Sequence, residues 1–155
     1  KVSLVISNKS DAFGLNYAKK NNIPTKVFSS LNMKSFEKKT LEELRRKKIK
    51  FICLAGFMKI LSKKFIKKFG YNIINIHPSL LPKYKGLNTH FRVLKNKEKI
   101  SGCTVHYISS KLDSGKIILQ KKVKVKNNDT SISLQRRILK QEHILYPEAI
   151  KTIFS

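Results

Sequence analysis

Tryptophan is absent from this 155-residue chain, cysteine occurs twice, and acidic residues are scarce: nine Asp and Glu stand against 34 Lys and Arg, a formal charge of +25. Each shortage excludes something. Cys53 and Cys103 are too few for a disulfide framework, and no Cys/His spacing resembles a zinc site. Both cysteines lie in apolar, strand-like runs, so they read as buried, reduced thiols of a cytoplasmic protein. No apolar run approaches the roughly 20 residues of a membrane span. The opening Lys1-Val2-Ser3-Leu4-Val5-Ile6 passes at once into the polar Ser7-Asn8-Lys9-Ser10-Asp11, which is unlike a secretory leader. The six glycines, Gly14, Gly56, Gly70, Gly86, Gly102 and Gly115, are never closely spaced, so no glycine-rich phosphate loop is present. There are no repeats, low-complexity tracts or linkers.

What remains is an ordinary globular composition, 41% hydrophobic and 28% charged. Residues 1–155 suit one domain with a single core. The excess charge is mostly Lys and is scattered over every predicted helix and turn. A nucleic-acid interface clusters Arg with aromatic residues, so the pattern speaks against such a partner. A diffuse positive field instead raises encounter rates with small phosphates and carboxylates.

Strand and helix signals alternate. Val2–Ser7 reads as a buried strand, and Ala12–Asn21 as a helix started by Ser10 or Asp11 and stopped before Pro24. Thr25–Phe28 is a short strand and Ser35–Lys48 a helix with Phe36, Leu41 and Leu44 among charges. Phe51–Ala55 is a continuous apolar run, the mark of a strand covered on both faces. Ser62 caps a helix to Phe69, and Ile73–Ile76 is a further buried strand. A polar, proline-containing stretch follows, then a short helix near His90–Asn96 and strands at Cys103–Ile108 and Ile117–Val125. The link between those two strands is too short for a crossover helix, so they pair antiparallel. Thr130 opens a long C-terminal helix, bent or broken at Pro147. The expectation is an α/β fold with a mostly parallel sheet and an antiparallel C-terminal strand pair. Because the chain opens inside a strand without a glycine-rich turn, a further N-terminal βα unit is expected outside these residues.

The chemistry concentrates in Asn75-Ile76-His77-Pro78-Ser79-Leu80-Leu81-Pro82. Asn75 and His77 alternate in an extended segment and point the same way. Pro78 keeps His77 extended. An amide donor beside an imidazole can stabilise an oxyanion and move a proton. Taken alone, Asn75 also fits a strand-end residue that satisfies backbone groups, and His77 a turn residue. Asp113, one of three aspartates, lies in Lys111-Leu112-Asp113-Ser114-Gly115 between two strands. An Asp there fits a turn former; beside His77 its carboxylate would favour the imidazolium. His106 alternates into a strand and reads as a satisfied sheet-face histidine. His143 reads as helix packing, and His90 as part of a site wall.

Five strings occur in order over most of the chain: Phe57-Met58-Lys59-Ile60-Leu61, the Asn75 to Pro82 string, Gly86-Leu87-Asn88-Thr89-His90, Leu112-Asp113-Ser114-Gly115, and Gln141-Glu142-His143 with Tyr146-Pro147. Together they resemble the glycinamide ribonucleotide formyltransferase family. The resemblance implies a Rossmann-like formyltransferase fold. It implies that Asn75, His77 and Asp113 are catalytic. Met58, Lys59, Ile60 and Leu61, together with Asn75 and the loop Ser109, Ser110, Lys111, Leu112 and Asp113, would line a folate pocket, and Glu142 would contact the ribonucleotide. The implied co-substrate is 10-formyltetrahydrofolate, the acceptor glycinamide ribonucleotide, the setting de novo purine synthesis in the cytoplasm; no metal is implied. The Asn75 to Pro82 string marks the wider formyltransferase superfamily, so a methionyl-tRNA formyltransferase stands as the alternative, and a basic nucleic-acid-binding module as the alternative of another class. Two departures stand out. Lys59 occupies a position where the family favours arginine, and the family's folate-contacting arginine has no match around Met33 and Lys34.

Overall fold

Each short apolar run has become a strand and each amphipathic stretch a helix. The computed structural model describes residues 1–29 and 32–155. Its elements run β1 (Val5–Ser7), α1 (Phe13–Lys20), β2 (Thr25–Val27), α2 (Met33–Arg46), β3 (Phe51–Leu54), α3 (Lys63–Phe69), β4 (Asn72–His77), α4 (Thr89–Lys95), β5 (Ile100–Tyr107), β6 (Ile117–Lys124) and α5 (Ser131–Phe154). The strands form two sheets, β1-β2 and β3-β4-β5-β6. The chain divides into two units, residues 1–51 with 61–71, and residues 52–60 with 72–155.

In the first unit β1 and β2 run parallel, Val5 opposite Thr25. The expected caps of α1 are not used: Ala12 is its N-cap, without a side-chain bond. The helix is held instead by the buried Leu15 and Ala18. Helix α2 begins two residues earlier than its apolar pattern suggests, because the Asn32 side chain accepts from Ser35 N at 2.8 Å. Helix α3 follows the sequence closely. Ser62 Oγ accepts from Phe65 N, and Ser62 donates its own N–H and hydroxyl to the two oxygens of Glu37, each at 2.6 Å. That exchange satisfies the buried Glu37 carboxylate. Gly70, at φ +72, closes the helix in the left-handed region.

Two expectations of full burial fail. Every residue of β1 is only half-buried, and Cys53 of β3 is exposed. Both strands lie at the edge of their sheets among the described residues, and their apolar runs are only partly covered. Cys103, in an interior strand, is fully buried as expected.

In the second unit the predicted antiparallel pair β5-β6 is present, and antiparallel pairing begins one strand earlier, with β4 against β5. Ile73 and Ile74 of β4, Cys103 and Val105 of β5, Val93 of α4, and Leu134, Ile138, Leu145 and Ala149 of α5 form the core. Where β5 meets β6, a Cβ on Gly102 would lie 2.7 Å from Leu80 Cδ2 and closer still to the Lys121 carbonyl, so only glycine lets these segments approach. Thr130 caps α5 through a reciprocal box with Ser133. Of the bend or break expected at Pro147, the break does not occur; the helix runs through it. An interior proline costs about 3 kcal/mol. Burial of Leu145 and Ala149 on either side, where a leucine contributes roughly 1.5–3 kcal/mol, and the Tyr146 hydroxyl, which donates to Leu54 O at 2.7 Å, offset it. His143, expected to pack, is exposed.

Candidate active site

The antiparallel register of β4 and β5 sets Asn75 opposite His106 and His77 opposite Thr104. Directly opposed residues share a sheet face. Asn75, His77, Thr104 and His106 therefore form one polar patch, while Ile74 and Val105 alternate to the core side. His77 and His106 are buried, His106 completely.

The turn after β5 brings Asp113 to this patch. Asp113 adopts φ +44, a left-handed conformation that aspartate tolerates better than most residues. Its side chain is 8% exposed; Oδ2 lies 3.5 Å from His77 Nδ1 and Oδ1 3.8 Å from His106 Nε2. Gly86 donates its backbone N–H to Oδ2 at 2.9 Å. Lys85 reaches the same turn through a bond from Nζ to Ser114 Oγ. Asn75, His77 and Asp113, separated by up to 38 positions in the chain, thus converge.

Each histidine is oriented by the contact on its second nitrogen. His77 Nε2 donates to the Tyr84 carbonyl at 2.9 Å, so Nδ1 faces Asp113. His106 Nδ1 donates to the Tyr107 carbonyl at 3.0 Å, so Nε2 can accept from the Asn75 amide at 3.4 Å. Burial pushes the His106 imidazole below its ordinary value, and His77 adds to this, while the Tyr107 carbonyl and Asp113 oppose it. A neutral His106 suits that acceptor role, and the second Asn75 N–H remains available for a developing negative charge. His90 completes the histidine group. Burial and then the neighbouring His77 push its value down, and its buried Nδ1 has no hydrogen-bond partner among the described residues.

The strand exit is held by residues that motif reading passes over. Thr104 Oγ1 donates to Ser79 O at 2.6 Å and accepts from Leu81 N at 3.1 Å, while Gln120 Nε2 donates to both Leu81 O and Thr104 Oγ1 at 2.9 Å. Ser79 Oγ donates to Lys83 O at 2.7 Å. This network fixes the segment beyond His77. It is visible only once β5 and β6 are in register.

Met58 and Ile60 are 71% and 69% exposed, and Leu112 is 49% exposed, so each of the two loops presents apolar surface to solvent. Lys59, Ser110 and Lys111 are exposed; Leu61 and Ser109 are half-buried, and Ser109 Oγ donates to Lys111 O at 3.1 Å. Glu142, half-buried on α5, is not joined to the cluster by a hydrogen bond among the described residues. Its carboxyl, pushed up by burial, acts on Cys103, which alternates to the face of β5 away from Thr104 and His106.

The formyl transferase family model matches residues 1–150. Phosphoribosylglycinamide formyltransferase of Haemophilus influenzae is 42% identical over 154 aligned residues, covering 97% of this chain and 73% of its own length. The trifunctional purine biosynthetic protein adenosine-3 of Chironomus tentans is also 42% identical, over 99% of this chain, but the chain spans only 12% of that protein. The crystal structure of phosphoribosylglycinamide formyltransferase from Anaplasma phagocytophilum superposes with a TM-score of 0.91 at 44% identity, covering 99% of this chain and 74% of that one.

Proposed function

Because this chain belongs to the formyl transferase family, we propose that the protein carrying it transfers the formyl group of 10-formyltetrahydrofolate to the amine of glycinamide ribonucleotide, in the cytoplasm, as a step of purine synthesis. The observation that carries this reading is the convergence of Asn75, His77 and Asp113 on one sheet face. That the relatives include proteins named for the same transfer supports it. Reading residues 1–155 as one formyltransferase domain rests on the single family model that spans residues 1–150.

The geometry supports the following chemistry. The acceptor amine attacks the formyl carbon, a C–N bond forms, and the formyl oxygen takes up negative charge. The free Asn75 N–H donates to that oxygen. His77, protonated on both nitrogens, keeps Nε2–H on the Tyr84 carbonyl and presents Nδ1–H beside it. Asp113 Oδ2 faces Nδ1 at 3.5 Å and is compensated by the imidazolium. As the intermediate collapses, the bond from the formyl carbon to N10 breaks. The Nδ1 proton neutralises the departing nitrogen, and the proton lost by the new amide restores the imidazolium. The exposed Met58, Ile60 and Leu112 offer an apolar wall for the pterin and benzoyl rings. Glu142 is proposed to contact the ribonucleotide on the likeness to the family alone.

The test is a formyl-transfer assay on the full-length protein with glycinamide ribonucleotide and, in parallel, methionyl-tRNA as acceptors. Turnover with the ribonucleotide, abolished by His77→Ala, is the expected result. Turnover with the tRNA alone would move the protein to another branch, and turnover undiminished in His77→Ala would end the proposal.

A further inference from the structure

His77 is the residue on which the proposed chemistry turns, and its orientation is set from a distance. Its Nε2 contact is a backbone carbonyl, that of Tyr84. A carbonyl only accepts, so the proton on Nε2 is fixed and Nδ1 becomes the nitrogen left to exchange protons. Tyr84 itself stands at φ +56. For a residue with a Cβ this left-handed conformation costs about 1–2 kcal/mol, so something must hold it.

Ser79 Oγ holds the carbonyl itself, donating to Tyr84 O at 3.2 Å and to Lys83 O at 2.7 Å, and the groups that hold the Tyr84 side chain sit at the end of α4. The Tyr84 hydroxyl donates to Glu98 Oε1 at 2.9 Å and accepts from Asn96 Nδ2 at 3.0 Å. The Arg92 guanidinium lies over the Tyr84 ring, 5.4 Å from its centre, and donates to Lys85 O at 2.6 Å. Lys83 Nζ reaches the same Glu98 oxygen at 3.1 Å. Residues 83–85 are therefore tied on both sides of the critical carbonyl, and two of the ties end on one carboxylate oxygen. Resting on the reading of His77 as catalytic, we infer that Glu98, acting through Tyr84, is a positioning residue that fixes the His77 imidazole with Nε2 on the Tyr84 carbonyl and Nδ1 toward Asp113. Glu98 lies 21 residues from His77 in the chain and touches neither it nor Asp113 among the described contacts. Releasing it takes away the acceptor of the Tyr84 hydroxyl and leaves the Asn96, Arg92 and Ser79 contacts alone to hold the strained peptide; the peptide loosens and its carbonyl shifts against Nε2. The imidazole then samples both tautomers and more than one ring angle. A misplacement of about 1 Å in such a group costs up to ~10²-fold in rate.

The experiment compares Glu98→Ala, Glu98→Gln, Tyr84→Phe and the Glu98→Ala/Tyr84→Phe double variant in the full-length protein, with circular dichroism to check folding. Glu98→Ala should lower kcat about 10- to 100-fold while KM for both substrates stays within about twofold. The amide oxygen that Glu98→Gln introduces still accepts from the Tyr84 hydroxyl, so this variant should recover most of the loss. Tyr84→Phe should match Glu98→Ala, and the double variant should be no worse than either, because both break one linkage. Ring-nitrogen NMR of neutral His77 should show the Nε2–H tautomer in the parent and a mixture in Glu98→Ala, whether or not the protein transfers formyl groups. An unchanged tautomer, or kcat losses that multiply in the double variant, would overturn the inference. An inactive parent whose His77 tautomer still shifts in Glu98→Ala would instead refute the proposed function and leave the positioning linkage standing.

Discussion

Gly115→Ala offers a severe test of how the Asp113 turn is packed. An ideal Cβ at this glycine would lie 2.6 Å from the carbonyl carbon of Tyr107 and nearer still to its oxygen. Ordinary carbon–carbon contact begins near 3.5 Å, so the carbonyl carbon must retreat by about 1 Å and the nearer oxygen by more. No flexible side chain can absorb this, because the obstacle is main chain. The Tyr107 peptide is also committed elsewhere: its N–H donates to Lys116 O at 2.9 Å and its carbonyl accepts from His106 Nδ1 at 3.0 Å. Overpacking of this kind costs about 1–3 kcal/mol, and each net hydrogen bond lost adds about 1 kcal/mol. With both bonds lost the sum is about 3–5 kcal/mol, a large share of the roughly 5–15 kcal/mol that holds a domain together. For a chain of this length that corresponds to a drop in Tm of about 6–20 °C. Urea unfolding followed by circular dichroism measures it through the midpoint, with the m-value confirming an unchanged two-state transition. A loss below about 1 kcal/mol would mean that the turn re-forms without strain. The claim that Gly115 is required by close backbone approach would then be wrong.

Other perturbations probe the site and its surroundings. His77→Ala should lower kcat by about 10²- to 10⁴-fold and Asn75→Ala by about 10²- to 10³-fold, with folate binding by fluorescence titration little changed; near-normal turnover in both would place the chemistry elsewhere. Burial holds His90 and His106 below the ordinary histidine value. Below about pH 6.5 the unfolded chain therefore takes up protons that the folded one refuses, and stability falls with pH. His106→Gln should flatten that slope in urea midpoints measured between pH 7 and 5, and an unaltered slope would contradict the assignment. Burial, with Glu142 beside it, pushes the Cys103 thiol up to about 12, so about one thiol in 10⁴ is ionised at pH 8. A disulfide reagent should titrate the exposed Cys53 under native conditions and reach Cys103 only after unfolding; rapid modification of both would refute the packing of β5.

Local signals are readable where one residue type performs one local task. Ser62 and Thr130 cap the helices predicted for them because a hydroxyl needs only the N–H groups of the next turn. Strand alternation places Asn75 and His77 side by side, and the strings that resemble the formyltransferase family point to Asp113. What stays hidden depends on long-range register or on backbone. His106 joins the group only because β4 runs antiparallel to β5, a pairing that no local pattern encodes. The Tyr84 and Tyr107 carbonyls that orient the two histidines carry no residue signature, since every residue has a carbonyl. The exposure of Cys53 is equally illegible: an apolar run states what a strand prefers, and the sheet order decides what it receives. Pro147 does not break α5 because intrinsic propensity is local, whereas the burial that overrides it comes from the packing of the helix.

The Tyr146 hydroxyl, shared between Leu54 O at 2.7 Å and Ile74 O at 3.3 Å, has a consequence for synthesis on the ribosome. It clasps neighbouring strands that leave the exit tunnel long before it does, and Leu134, Ile138, Leu145 and Ala149 of the same helix supply one wall of their core. At about 5–20 residues per second, the nascent chain from Asn72 onward waits roughly 4–16 s before its last helix is made. During that interval Ile73, Ile74 and Val105 lack their cover, while the elements in residues 1–51 and 61–71 already have one another. Stalled nascent chains ending before Ser131 should accordingly be cut by protease throughout residues 72–124, and chains extended beyond Phe154 should resist.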